Sequence, residues 1–129
     1  MALLVVALFA FAMHHASRER EQQEHEAAYQ STLRSYSAVL KLGMSRTDVE
    51  GYLNAKKVRF SQGCCIVQYA SAWDDLTKIG QEDSPWYCSE QNIYVAFQFA
   101  AVERPKLLRA DASDTLTAVT IVRRFEGCL

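Results

Sequence analysis

The feature that most limits what this chain can fold into is a change of rhythm. From Ser17 to Leu40 there is neither glycine nor proline, and Glu, Gln, Ala and Arg, all good helix formers, dominate. After Asn54 the apolar residues alternate with polar ones, the period of a strand. Helices first and strands afterwards, in 129 residues, read as one α+β domain. The expected architecture is two-layer, with helices on one face of an antiparallel sheet of three to five strands.

Within the helical half, Tyr29, Leu33, Tyr36 and Leu40 set one apolar stripe on an otherwise charged helix. Gly43 is placed to end it. A second, short helix begins in "GMSRTDVEGYLNAKKV". Ser45 can accept a bond from the backbone N–H three residues on, and Asp48 can reach back while its charge suits the helix N-terminus. Val49, Tyr52 and Leu53 form the face to be buried, with Met44 packed in front. Gly51 costs this helix about 1 kcal/mol relative to alanine, so packing must hold it.

Two short β candidates follow, "KVRFS" and "CCIVQY", with Gly63 between them as a bend or bulge. "DLTKIGQE" is a weaker candidate. The strongest strand is "NIYVAFQFAAV", with Ile93, Val95, Phe97 and Phe99 on one face and Tyr94, Ala96 and Gln98 on the other. After the long connection "ERPKLLRADASD", "TLTAVTIVRRF" gives a last strand, apolar on both faces through Val119 and Ile121, and Ala118 and Val122.

The chain opens on "MALLVVALFAFAM", a continuous apolar run. As a helix it spans about 20 Å of a ~30 Å hydrocarbon core, the length of a signal-peptide h-region. No basic residue precedes it, and the small-x-small site Ala10-Phe11-Ala12 lies inside it. Either basic residues lie upstream of Met1, or His14, His15 and Ala16 extend a short uncleaved anchor; a buried core helix is the third reading. Residues 1–16 are therefore expected to be a signal or anchor segment, 17–28 a solvated helical stalk, and 29–129 the α+β domain. Arg18, Arg20 and Arg34 follow the run and argue for a cytoplasmic domain. Four cysteines in so small a domain argue for an oxidising compartment, and export is the expectation.

Cys64 and Cys65 are adjacent, while Cys88 and Cys128 stand alone. Zinc ligands ordinarily pair at Cys-x2-4-Cys spacing, and no Cys-x-x-Cys redox motif occurs. His14, His15 and His25 belong to the anchor and stalk, so no base stands near a cysteine. Neighbours on a strand point to opposite faces, so Cys64 and Cys65 should take different partners. That leaves 64–88 with 65–128, or 64–128 with 65–88, each bridge contributing about 3–4 kcal/mol. Buried free thiols are the alternative.

Acids and bases nearly balance, 15 against 14, which excludes the basic surface of a nucleic-acid binder. No phosphate-binding glycine loop, nucleophile elbow or His-Glu-x-x-His occurs, so no enzyme and no cofactor are expected. Asp74-Asp75 and Glu82-Asp83 read as solvated turn acids. In "SPWYCSE", Trp86 and Tyr87 are candidate partner contacts, with Trp86 closing the end of the core as the alternative.

The segment "LKLGMSRTDVEGYL", through Gly43, Met44, Ser45, Val49 and Leu53, resembles a signature of the small lipoproteins of the outer-membrane β-barrel assembly machinery (SmpA/OmlA type). The resemblance implies a two-layer α+β domain making protein or envelope contacts without catalysis. No Leu-x-x-Cys lipobox follows the apolar run, so the likeness brings no lipid attachment. The expected function is a non-enzymatic, membrane-anchored extracytoplasmic domain, periplasmic in a bacterial envelope, acting on an envelope protein. The alternative is a cytoplasm-facing thiol protein using Cys64 and Cys65 for redox sensing or metal binding.

Overall fold

A computed structural model of the protein describes residues 1–66, 70–102 and 109–129. The order is α1 (Ala2–Val39), α2 (Arg46–Ala55), β1 (Ser61–Gly63), β2 (Asp74–Glu82), β3 (Glu90–Ala100) and β4 (Thr115–Glu126). The sheet has the order β1-β2-β3-β4, every neighbouring pair antiparallel. The protein is thus α+β with two helices and a four-stranded antiparallel sheet.

The chain divides into two compact units, Met1–Thr32 and Leu33–Leu129. The first is helical from Ala2 onwards and continues without a break through the apolar run and the charged stretch. Among the described residues, no helix is long and apolar enough to cross a membrane, so residues 1–16, expected as a signal or anchor segment, form no spanning helix. The reason is length, because the apolar run stops at Met13 and His14, His15 and Arg18 follow in the same helix. Leu3, Leu4, Val5, Val6, Leu8, Phe9, Phe11 and Met13 are all exposed.

In the second unit the last turns of α1 bring Leu33 and Tyr36, with Leu40 just after the helix, to the core cluster that holds Val95 and Phe97 of β3. Tyr36 meets Phe97 edge to face at 5.3 Å between ring centroids. The helix stops at Val39, and Gly43 takes the turn that follows at φ +89°, a conformation L side chains disfavour. Ser45 caps α2 by accepting from the Asp48 N–H at 3.2 Å, as the sequence predicts. Val49 and Leu53 are fully buried, and Met44 and Tyr52 pack beside them.

The strands depart from the sequence reading in two places. "KVRFS" forms no strand before Ser61, although Val58 and Phe60 still pack on the core. Lys57 turns through φ +56° and Val58 N–H returns to Leu53 O, so this segment is spent ending α2. Gly63 is the last residue of β1, paired with Asp74, and not a bend between two strands. "CCIVQY" lies partly outside the described residues, as does the first half of the connection before β4. The weak candidate "DLTKIGQE" is the full strand β2, with a bulge between Lys78 and Gly80.

Gly51 sits inside α2 with nothing within 4 Å of where a Cβ would be. The substitution G51A should therefore raise stability by about 0.5–1 kcal/mol, measured by urea unfolding, because helix propensity improves and nothing clashes.

Candidate functional site

The antiparallel register decides which cysteines can meet. Gly63 stands opposite Asp74 at one end of β2, while Glu82, at the other end, stands opposite Gln91. Eight residues at about 3.3 Å each separate those levels by roughly 25 Å, far beyond the ~7 Å Cα separation a disulfide tolerates. Neither expected cross-pairing forms. Cys88 pairs with Cys128, and Cys64 pairs with its neighbour Cys65. The argument from strand alternation fails because Cys64 and Cys65 lie just past the end of β1, off the pleat.

The Cys88–Cys128 bridge joins the loop before β3 to the residues after β4, where Glu90 already faces Glu126. Ser89 N–H donates to Glu126 O at 3.0 Å, and Leu129 N–H donates to Tyr87 O at 2.8 Å. This end of the sheet carries exposed aromatic surface. Trp86 is 89% exposed and so does not close the core; Tyr87 stands beside it, edge to face at 5.7 Å. Phe125 and Leu129 are exposed at the same end. Beneath them Asn92, itself buried, donates to the carboxylates of both Glu90 and Glu126 and holds these two acids together. Tyr94 O–H donates to Glu126 Oε1 at 3.0 Å; burial first, and then this carboxylate, raise the phenol's pKa. A rigid strand end thus presents a loop tied down from both sides.

Cys64 and Cys65 line a separate cleft of about 240 Å³ with Gly63, Ile66, Asp74, Leu76, Val122 and Arg124. Asp74 accepts the Ile66 N–H at 2.9 Å and so fixes the backbone after the cysteines. Among the described residues, no group of three or more His, Cys, Asp or Glu side chains could hold a metal ion. His14, His15 and His25 lie on α1, in the other unit.

Sequence reasoning missed a third cluster. Asp74 and Asp75 are not solvated turn acids but buried residues that open β2. Arg46, in the first turn of α2 and 2% exposed, donates through Nη1 to Asp75 Oδ1 at 2.7 Å and through Nε to Asp114 Oδ2 at 3.1 Å. Its Nη2 bonds to the Trp73 carbonyl, and the guanidinium stacks 4.0 Å above the Phe99 ring. Asp114 Oδ2 also accepts from Asp111 N–H, while its backbone carbonyl accepts Arg46 N–H. One cation therefore ties α2 to β2, β3 and the residue that precedes β4. The missed signal was an arginine at the first position of a capped helix whose other buried positions are apolar.

The chain matches no protein family, no curated protein and no solved structure. The likeness noted above therefore rests on Gly43–Leu53 and the order of elements alone.

Removing one partner of a buried ion network leaves the others uncompensated, so R46M should lower stability by about 3–5 kcal/mol in urea unfolding. Burial pushes the Asp75 carboxyl up to about 7 against the pull of Arg46, with Glu50 and Asp74 adding to the rise. A carboxyl that holds its proton more tightly when folded favours folding at low pH, and that contribution disappears as pH rises through the folded value. Relative to D75N, the wild type should be best near pH 4 and lose ground steadily up to about pH 7, levelling beyond. A difference that stays flat with pH, in parallel unfolding titrations, would contradict this role for Asp75.

Proposed function

We propose that the chain is a non-enzymatic contact module of the bacterial cell envelope, held at the membrane by its N-terminal apolar helix and exposed to an oxidising compartment. The observation that carries this reading is the stapled aromatic end: Trp86 and Tyr87, exposed together on a loop tied by Cys88–Cys128. Rigid exposed aromatics of this kind are typical anchors of protein contacts, since they bring large area at low entropic cost. Exposed, they also oppose solubility, and a partner that covers them accounts for their presence.

The N-terminal unit supports the membrane part. A helix apolar on all sides belongs in a core or a bilayer, and the apolar residues of Met1–Met13 are exposed. A rod of about 20 Å enters a ~30 Å hydrocarbon core without crossing it and also suits a signal peptide. The bridge between Cys88 and Cys128 supports the oxidising side, because such bonds are rare where thiols are kept reduced.

A second reading rests on the cleft at Cys64 and Cys65, which a cytoplasm-facing thiol protein would use for redox sensing. Alkylation without and then with reductant, on protein in its native membrane fraction, separates the two. Cys88 and Cys128 protected until reduction support the envelope reading; four freely alkylated thiols would overturn it. A photo-crosslinking residue at Trp86 should then capture a discrete envelope protein, whereas the same residue at exposed Arg59 should not.

A further inference from the structure

The two edges of the sheet are unlike. β1 is three residues long, which is one of the usual ways a protein blunts an exposed edge. β4 is 12 residues long and pairs on one side with β3. On its outer side the loop before α2 covers only the start: Gly43 N–H donates to Leu116 O and Leu116 N–H to Met44 O, both at 2.8 Å, and Ser45 bridges Thr115. From Thr117 to Val122 no further backbone partner lies along that side among the described residues. The open stretch holds no proline or lysine, and its centre reads Ala118-Val119-Thr120-Ile121-Val122, all half-exposed. Unpaired N–H and C=O groups beside apolar side chains make a template for another strand.

We propose that this edge pairs with the same edge of a second copy, antiparallel about a two-fold axis through Thr120, joining two sheets into one. The match of the strand to itself selects this occupant over a foreign peptide. Two-fold pairing centred on Thr120 sets Val119 opposite Ile121 on one face, Ala118 opposite Val122 on the other, and Thr120 opposite its own copy. Moving the centre to Ile121 would set Val119 against Arg123 and Ala118 against Arg124. Moving it to Val119 would bring Ile121 against Thr117 and Val122 against Leu116, whose backbone groups are already taken by Gly43 and Met44. The charges agree as well. Centred on Thr120, each Arg123 faces a neutral Thr117, the ladder ends before the occupied Leu116, and the two Arg123 residues stand about 20 Å apart along the strands.

The groove beside the edge fits the same occupant. Ser37, Leu40, Lys41 and Leu42 from the end of α1 and the turn after it face Thr117, Ala118 and Val119 across a cleft of about 390 Å³. The residue opposite Val119 in this register is Ile121 of the second copy. Paired residues share a face, so that side chain enters the cleft beside Leu40 and Leu42.

The test uses the full chain in detergent micelles, which shield the apolar N-terminus, with mass measured by sedimentation equilibrium. The wild type should be dimeric. T120K and T120E each place like charges directly opposite on the axis and should weaken the dimer at least about tenfold, while an equimolar mixture of the two should restore it. Both variants lose the Gln98 Nε2–Thr120 Oγ1 bond, so circular dichroism must first show native spectra. T120C supplies an independent readout if they do not: paired positions lie within disulfide range, so it should cross-link between copies, whereas T117C, far from its own copy, should not. A wild type that stays monomeric at the highest soluble concentration overturns the proposal. So does a dimer that T120K leaves intact, or cross-linking at residue 117 equal to that at 120.

Discussion

One buried cation organises the second unit. Arg46 is the first residue of α2, yet its guanidinium reaches the start of β2, the ring of Phe99 on β3 and the residue before β4. Taking a charge out of water costs several kcal/mol unless its partners surround it, and here two carboxylates, a carbonyl and an aromatic face do so. Burial above all, with Glu50 and Asp74 nearby adding to it, makes the Asp75 proton hard to remove in spite of Arg46. The start of α2, the entry to β2 and the residue before β4 all meet at that guanidinium.

The two cysteine pairs divide the sheet between them in the same spirit of local constraint. Cys88–Cys128 fastens the end that bears the exposed aromatics, and the ladder from Glu90–Glu126 inward continues what the bond begins. Cys64–Cys65 ties no elements together; it lines a cleft that Leu76, Val122 and Arg124 also line. Of the two, the long-range bridge contributes most to stability, since closing about forty residues restrains the unfolded chain by about 4 kcal/mol.

How much of this was legible in the sequence follows from distance along the chain. Gly43, Ser45, Val49 and Leu53 follow one another at steps of two to four residues, and reading them in order recovers α2. β3 and β4 announce themselves by alternation. β2 was faint because Asp74, Asp75 and Thr77 occupy buried positions where apolar residues were expected, and the partner that justifies Asp75 stands 29 residues away. Cysteine pairing was illegible for the same reason: it depends on register, which no local pattern specifies. Trp86 and Tyr87 could be picked out as a contact surface, but Phe125 and Leu129 join them only through the β3–β4 ladder.

The strand order has a consequence for how the unit comes together. Each strand lies beside the one that precedes it in sequence, so the sheet can grow strand by strand through short closures, without waiting for distant segments. Arg46 cannot follow that schedule. It is made before any strand, and its last ligand, Asp114, arrives 68 residues later. Until then α2 has a cation that belongs in the interior and no complete shell to receive it. The helix should therefore dock late, and the unit should gain its full stability in a single closing step and not by instalments.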